Sequence, residues 1–312
     1  MKSCNVCLDV YCLDLMKNRY PKHRLQLQLI PLVALALIVI ISFSGCVVVP
    51  DQALVLRGSN DQVINSFSNT CEIVGSKYRV DGVNPDGFSV LSWNSHKGSH
   101  ADWNEDLRSF GKNADFILLQ EAALDDGLKE QLGLLGKEWL LAVAFVYAEQ
   151  EIGILSAGPV PPQGFCTIRE YESLVRIPKI ILASTYPIKG FNNELLVINL
   201  HMVNFTIGSG AVRRQIEAAR EKIKDHQGPV IVAGDFNTWN ADRESVVKEK
   251  MRDLGMQPVF FLPDNRVEFF GRTVDGIYYR GLEVTKARTY QVKSSDHNPL
   301  EVHFRLTEAG QI

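Results

Sequence analysis

The sequence predicts an α/β domain that follows a separate apolar segment, and two observations carry this prediction. Short apolar runs, each ending in polar residues, recur along the chain, and amphipathic stretches typical of helices lie between them. The runs begin at Phe88, Phe116, Leu195 and Val230. Such runs indicate buried strands, and strands that alternate with helices are typical of α/β domains. We therefore treat residues 82–306 as one domain, followed by a tail at 307–312.

Composition and charge exclude several classes of protein. Of the 312 residues, 46% are hydrophobic and 22% are charged, which is ordinary for a folded enzyme and excludes disordered, collagen-like and coiled-coil chains. The formal charge is 33 − 36 = −3, with no long block of like charge. A broad basic surface that neutralises duplex phosphates is therefore not expected, although an enzyme that only cleaves such a substrate is not excluded.

The N-terminal part of the chain has the layout of a membrane-targeting segment. Residues 29–49 are almost wholly apolar, and roughly 20 apolar residues suffice to span a bilayer. Residues 1–28 precede this run and carry Lys17, Arg19, Lys22 and Arg24. Basic residues on the N-terminal flank stay in the cytoplasm, so the remainder of the chain is expected to face outward.

Two interpretations of this segment remain open. Residues 43–46 resemble the lipobox of bacterial lipoproteins, which makes Cys46 a lipidation candidate and residues 29–49 the apolar part of a signal peptide. In this interpretation translation begins at Met16 and residues 1–15 are not translated. Alternatively, residues 29–49 form an uncleaved transmembrane anchor. Both place the domain outside the cytoplasmic membrane, whereas a cytoplasmic location follows only if residues 1–49 do not belong to the protein.

The cysteines of the body and the residues after the apolar run are less informative. Cys71 and Cys166 are too few for a disulfide scaffold, and the body has no CxxC motif that would indicate zinc. Whether these two cysteines pair is left open by the sequence. Residues 50–81 are polar, with Ser and Asn clusters, and we interpret them as a linker.

Helices and closing strands complete the predicted domain. Apolar spacing predicts helices over residues 102–112, 211–226 and 241–254. Beyond residue 273 the pattern changes to short strand-like pieces at 276–279, 289–292 and 301–306, which indicates a closing antiparallel part.

Polar residues follow the buried strands at the points where the strands end. Asn94, Glu121, His201, Asp235 and Asn237 occupy these positions. The ends of such strands meet at one edge of a sheet, where α/β proteins place their sites. Taken singly, each has an ordinary explanation as a helix cap, a core histidine or an Asx turn. Their repeated placement at the same point of each element makes a purely structural explanation improbable.

An ordered series of motifs resembles the endonuclease/exonuclease/phosphatase superfamily, whose members are DNase I-like. The motifs are Trp93-Asn94, Leu119-Gln120-Glu121, Asn199-Leu200-His201, Gly234-Asp235-Phe236-Asn237, Val274-Asp275-Gly276-Ile277 and Ser295-Asp296-His297. Residues 201–208, 270–272 and 295–300 are similar to its YafD-like bacterial branch. The resemblance implies a four-layer α/β sandwich of two packed mixed sheets, and hydrolysis of a phosphate ester by water with Mg²⁺ or Mn²⁺.

The same resemblance implies a role for each motif residue. Glu121 and Asp296 would bind the metal, with Asn94 supplying a neutral oxygen. Asp235 would handle the proton of the attacking water, and Asn237 would orient phosphate or nucleophile. His297 would contact the phosphate while Asp275 holds its ring, because a carboxylate on one imidazole nitrogen fixes the tautomer. His201 is the candidate for protonating the leaving group.

Four further residues keep two explanations each. His96 and His100 are spaced as zinc ligands, but Gly98 disfavours the helix that would align them, so we expect a solvated loop. Lys97 in this loop could line the substrate cleft. Trp239 could wall the cleft or belong to the core.

The function hypothesis is a membrane-anchored metal-dependent phosphoesterase, most simply a phosphodiesterase. Its substrate would be nucleic acid or a phospholipid of the sphingomyelin type, with monoesters also open, and no obligate protein partner is implied. The alternative is a catalytically silent binding protein on the same fold. Every motif position holds a competent residue, which argues against this alternative.

Overall fold

Two large β-sheets, a two-stranded hairpin and four α-helices make up most of the part of the chain that the structure describes. The structure is a computed structural model, and it describes residues 47–58, 62–66, 71–73, 82–173, 175–206 and 208–307. The predictions for Met16, Cys46 and residues 1–46 as a whole lie outside these ranges. Among the described residues no helix is long and apolar enough to span a membrane.

The elements follow one another in this order. The strands are β1 (Val47–Val48), β2 (Ala53–Arg57), β3 (Gln62–Ser66), β4 (Cys71–Ile73), β5 (Phe88–Asn94), β6 (Phe116–Ala123), β7 (Glu138–Tyr147), β8 (Gln150–Gly158), β9 (Gly164–Tyr171), β10 (Pro178–Pro187), β11 (Glu194–His201), β12 (Val230–Asp235), β13 (Gln257–Pro258), β14 (Glu268–Phe269), β15 (Arg272–Thr273), β16 (Asp275–Arg280), β17 (Leu282–Thr289) and β18 (Leu300–Leu306). The helices are α1 (Trp103–Gly111), α2 (Asp126–Leu134), α3 (Gly210–Ile223) and α4 (Ala241–Asp253).

Each sheet is mixed and places the predicted site strands at its centre. The first sheet has the order β17-β18-β5-β6-β8-β7-β2-β3, with β1 beside β7. The second has the order β13-β16-β12-β11-β10-β9-β4, and β14 and β15 form a separate hairpin. The parallel pairs β5–β6 and β11–β12 carry the polar strand ends, so those ends share an edge in each sheet.

The two sheets pack through alternating apolar residues. In β6, Phe116 and Leu118 point inward, and they share one buried cluster with Leu195 and Val197 of β11. The residues between them point outward, because successive side chains of a strand alternate between its two faces. Ile117, for example, lies in a different cluster on the outer side of the first sheet.

Helices cover both outer faces. On the first sheet, Leu107 of α1 and Leu128 of α2 pack against Leu119. On the second sheet, Ile216 of α3 and Val247 of α4 belong to the outer cluster. The order is therefore helices, sheet, sheet, helices, which confirms the predicted four-layer α/β sandwich.

The predicted helices match α1, α3 and α4, whereas two predictions are corrected. The strand-like piece predicted at 289–292 is wrong, because β17 ends at Thr289 and the chain then turns. Tyr290 donates its N–H to Pro299 O (3.1 Å), and Val292 donates its N–H to Asn298 Oδ1 (3.1 Å). Helix α2 was not anticipated.

The interpretation of residues 50–81 as a linker is also wrong for the described part. Strand β2 pairs with β7, and its Val55 is fully buried between the sheets. Strand β4 pairs with β9, and a disulfide joins Cys71 to Cys166, which answers the question that the sequence left open. Strand β1 contains the last residues of the apolar run at 29–49, so the domain begins before that run ends.

We predict that Gly234→Ala destabilises the fold by at least about 2 kcal/mol, since strain and a clash add at this position. Gly234 has φ +140°, and a Cβ there would lie 2.0 Å from Leu200 O on the neighbouring strand. Urea unfolding of the full chain measures the loss. Gly133→Ala, in α2 with open space around it, is the matched control and should be neutral or stabilising. Equal stability of the two variants would contradict the explanation.

Candidate active site

A hydrogen-bonded amide pair joins the two sheets beneath the site. Gln120 Nε2 donates to Asn199 Oδ1 (2.7 Å), and Asn199 Nδ2 donates to Leu155 O (2.8 Å). Gln120 and Asn199 occupy the next inward-facing positions of β6 and β11 after Leu118 and Val197, and both side chains are fully buried. The next residue of β6 is Glu121, and His201 ends β11, so the pair sets the separation of the two site-bearing strands.

A β-bulge aims Glu121 into the space between the sheets. The register of β6 against β8 shifts between Leu119 and Ala122, and Glu121 has φ +50°. Bulges re-aim side chains, and left-handed backbone in a non-glycine residue occurs at functional sites. The carboxylate lies 2.6 Å from Lys97 Nζ and 3.7 Å from Lys179 Nζ. Burial opposes ionisation, yet these two ammonium groups hold the pKa of Glu121 well below its usual range.

His201 lies opposite Glu121 and is buried. Its Nε2 accepts a hydrogen bond from Lys179 Nζ (3.0 Å) and lies 3.4 Å from Asp235 Oδ2 and 3.9 Å from Glu121 Oε1. Burial, with the positive charge of Lys179, lowers the pKa of His201 to about 4. The ring is therefore neutral at pH 7, and its own proton lies on Nδ1.

Asp235 occupies the centre of the site. Its Oδ2 accepts from Asn94 Nδ2 (3.1 Å), and its Oδ1 accepts from the Asn237 N–H (2.9 Å). Burial raises the pKa of Asp235, with His201 and His297 opposing the rise. Asn237 has φ +50°, and its side chain donates to Met202 O (2.8 Å), so it is held toward the loop after His201.

His297 and Asp275 form a buried ion pair on the far side of Asp235. His297 Nδ1 donates to Asp275 Oδ2 (2.7 Å). Burial alone would lower the pKa of His297, but the charge and the hydrogen bond of Asp275 raise this pKa to about 10. The ring is an imidazolium at neutral pH. Ser295 Oγ accepts from the His297 N–H (3.1 Å) and donates to Asn94 O (2.7 Å), which ties this segment to β5.

Asp296 faces the opening of the site rather than its centre. It is half-exposed, and its Oδ1 lies 2.9 Å from His96 Nδ1. Burial raises its pKa, but the hydrogen bond from His96 produces a net lowering. His96 begins a 3₁₀ turn at His96–Gly98, where a solvated loop was expected. Lys97 of this turn contacts Glu121 and therefore lines the cleft.

The loop after His201 is held by buried charges. Glu172 accepts from the N–H groups of Asn204 (2.6 Å) and Phe205 (3.2 Å). Arg243 donates to Val203 O (2.6 Å) and Asn204 O (2.9 Å). These contacts satisfy both donors and acceptors of the loop backbone, so the loop has a defined position beside the site.

Trp239 belongs to the same loop support. It is half-buried, and its Nε1 donates to Asn204 Oδ1 (2.9 Å). Arg243 stacks on its ring at 4.6 Å, and the Phe270 ring lies 6.1 Å away. Trp239 therefore supports the loop after His201 through these contacts.

A group of three buried side chains in the described part of the chain could hold a metal ion. It consists of Asp235, Asp275 and His297, whose ligand atoms lie within 4.8 Å of one another. All three are buried, and two of them already share the hydrogen bond described above. Of the metal set predicted from sequence, Glu121 and Asp296 lie toward the opening of the site, whereas Asn94 is buried against Asp235.

Lys179, Glu172 and Arg243 were missed by sequence reasoning. A lone lysine in the otherwise apolar stretch 177–183 was the signal that could have identified Lys179. Glu172 and Arg243 carry no comparable signal, because each sits in a polar stretch and acts through backbone groups distant in sequence.

The model of the Endonuclease/Exonuclease/phosphatase family matches residues 91–297, a range that contains every predicted metal and catalytic residue. A UPF0294 protein of Vibrio vulnificus strain YJ016 is 37% identical over 259 residues, covering 82% of this chain and 88% of the relative. The chain belongs to the endonuclease/exonuclease/phosphatase family. The predicted DNase I-like superfamily and YafD-like bacterial branch are thereby confirmed.

Solved structures of endonuclease/exonuclease/phosphatase proteins share the fold at low identity. A family protein from Bacteroides vulgatus has a TM-score of 0.58 at 17% identity, covering 71% of this chain and 99% of that one. ANGEL2, a 2′,3′-cyclic phosphatase, has a TM-score of 0.57 at 15% identity, covering 75% and 97%. The family hydrolyses phosphate esters, and this chain has its fold.

We predict that Asp275→Asn lowers the pKa of His297 from about 10 toward the ordinary value of 6.5, because the carboxylate charge stabilises the imidazolium. His297 of the wild type stays charged until the pH approaches about 10, whereas the variant loses the proton at lower pH. An NMR titration of the metal-free full chain measures both values. An unchanged His297 titration in a folded variant would show that Asp275 does not control this charge.

We also predict that Lys179→Met raises the pKa of His201, because the ammonium at 3.0 Å disfavours the imidazolium. Burial remains, so the pKa should stay below 6.5. The same NMR titration measures it, with Lys129→Met on the distant helix α2 as the control. A His201 titration that is equal in both variants would contradict the assigned contact.

Proposed function

We propose that the protein is a divalent-metal-dependent phosphodiesterase. The observation that supports this best is the charge arrangement around Asp235. An ionised Glu121 lies on one side, a protonated His297 on the other, and the neutral His201 beside them. Such a site offers a cation-binding carboxylate, a proton donor and a proton acceptor within one opening, which are the groups that phosphate ester hydrolysis needs.

The proposed cation site consists of Glu121 and Asp296, with Asn94 nearby. Both carboxylates have a lowered pKa and are therefore charged, and Mg²⁺ prefers a few carboxylate oxygens together with waters. The half-exposed Asp296 leaves room for those waters. When bound, the cation supplies positive charge to the phosphate oxygens. The buried group of Asp235, Asp275 and His297 is less suited to a cation, because an imidazolium that donates to Asp275 has no lone pair for a metal.

The roles of the remaining residues follow from their protonation. Asp235, whose pKa is raised by burial, is suited to accept the proton of the attacking water, and Asn94 and Asn237 orient its two oxygens. His297 carries a proton and can donate it toward the phosphate or the leaving oxygen. His201 is neutral, and its Nε2 accepts from Lys179, so in this state His297 is better suited than His201 to protonate the leaving group.

A phosphodiester is favoured over a monoester by charge. Four carboxylates, those of Glu121, Asp235, Asp275 and Asp296, outnumber the three cationic groups of Lys97, Lys179 and His297. A singly charged diester therefore meets less repulsion in the site than a dianionic monoester. The cyclic phosphate that ANGEL2 acts on is itself a phosphodiester. A silent binding protein is disfavoured, because burying the carboxylates of Asp235 and Asp275 together with two histidines has a large desolvation cost that binding alone does not require.

The test is turnover by the full chain in detergent with Mg²⁺ or Mn²⁺. Bis-p-nitrophenyl phosphate represents diesters and p-nitrophenyl phosphate represents monoesters. We expect hydrolysis of the diester, with a higher kcat/KM than for the monoester, and its loss with EDTA. Hydrolysis that persists after exhaustive chelation would exclude the metal, and no hydrolysis of either ester would support the silent binding protein.

We predict that Glu121→Gln lowers kcat by about 10²-fold or more, because it removes the charge that holds the cation while keeping the size of the side chain. Calorimetry of Mn²⁺ binding gives a readout independent of turnover, and the affinity should fall with kcat. Glu130→Gln, on the exposed side of α2, is the matched control. If Glu121→Gln binds Mn²⁺ as the control does, the cation lies elsewhere.

A further inference from the structure

The described part of the chain begins at the edge of the sheets that carries the active site. Val47, the first residue of β1, pairs with Tyr147 at the end of β7. Strand β8 is antiparallel to both β6 and β7, so β6 and β7 run in the same direction and end at the same edge. Glu121 lies at that end of β6. Residues 1–46 therefore join the domain on the face that carries the active site.

The junction is close to the site as well as on the same face. Moving from β6 to β8, β7 and then β1 crosses three strand spacings, about 14 Å, and the registers place Val47 about three residues, roughly 10 Å, beyond Glu121 along the strands. Residues 29–46, immediately before β1, are the apolar residues that the sequence analysis interprets as a membrane segment.

Exposed aromatic side chains surround the opening of the site on this face. Phe270, in the turn between β14 and β15, is 88% exposed, and Phe269 beside it is 42% exposed. The Phe269 ring lies 6.2 Å from the His297 ring. Phe205, in the loop held by Glu172 and Arg243, is 45% exposed. Exposed apolar side chains that are grouped on one face are typical of interaction surfaces, whereas single ones are not.

We propose that this face, with the opening of the active site at its centre, lies against a phospholipid bilayer. The apolar segment tethers it there, and Phe205, Phe269 and Phe270 enter the headgroup region, where aromatic side chains are favoured. Either state of the N-terminus produces this orientation, because a lipidated Cys46 would directly precede Val47 and an uncleaved helix would end there.

The orientation defines a substrate class, and this step rests on the proposed function. A site pressed against headgroups meets the phosphodiester of a phospholipid at the surface, without removing the lipid from the bilayer. Lys97 and Lys179 provide positive charge within this opening. Single-stranded nucleic acid could also stack on the aromatic rings. The tether beside the site favours the lipid, since it holds the opening toward the membrane.

A quenching experiment tests the orientation without requiring turnover. The full chain is reconstituted in dioleoylphosphatidylcholine vesicles, with and without brominated phosphatidylcholine, which quenches tryptophan only at short range. Phe270→Trp should be quenched beyond the wild-type background of four tryptophans. Leu134→Trp is the matched control: it is 64% exposed and ends α2, which leads away from the site edge.

Three outcomes would overturn the orientation. They are a chain that does not float with the vesicles, quenching of Phe270→Trp no greater than the background, and equal quenching of the two variants. Failure of the proposed function is seen separately, as absent hydrolysis of bis-p-nitrophenyl phosphate.

A second variant tests the substrate class. Phe270→Ser should lower the hydrolysis of bilayer phosphatidylcholine about ten-fold relative to that of the soluble diester, because it weakens insertion of this face. The Leu134→Ser control should keep the wild-type ratio. If Phe270→Ser instead lowers the cleavage of a single-stranded oligonucleotide relative to the soluble diester, the aromatic side chains bind bases and the lipid proposal is wrong.

Discussion

The packing of two sheets through one shared apolar layer is the constraint on which the site depends. Residues from both sheets contribute to the site, so its geometry exists only when the sheets meet in one register. The Gln120–Asn199 hydrogen bond sets that register at the end of the apolar layer. Leaving either buried amide unpaired would cost about 1–3 kcal/mol, so alternative registers are penalised. Glu121 and His201 consequently come within 3.9 Å of each other across the sheets.

Charge balance is the second requirement, because carboxylates gathered in a poorly solvated space repel one another. Two lysines oppose Glu121, and the His297 imidazolium opposes Asp275 and Asp235. These partners also give the two histidines different protonation states, because His201 lies beside an ammonium group and His297 lies beside a carboxylate. Neighbouring charges thus give one ring the properties of an acceptor and the other those of a donor.

The family match covers the strands that carry the site but not the N-terminal residues that join the domain beside it. The match to the family spans residues 91–297, and strand β1 and the apolar residues before it lie outside that range. In our proposal these N-terminal residues determine where the site acts, and the aromatic side chains around the opening adapt the domain to that surface. Substrate choice would then depend on presentation of the phosphate as much as on contacts within the site.

The sequence by itself determined the central strands, three of the helices and the polar residues at strand ends, because apolar periodicity is local and the family motifs are contiguous. The tertiary structure decided the rest. The bulge that aims Glu121 depends on β8, and the contact of Lys179 with His201 depends on pairing between β10 and β11. Strand β2 was interpreted as a linker because its short pattern becomes meaningful only between its neighbours β7 and β3. The physical reason is common to all three: they arise from neighbours that strand pairing brings together, and no local pattern records those neighbours.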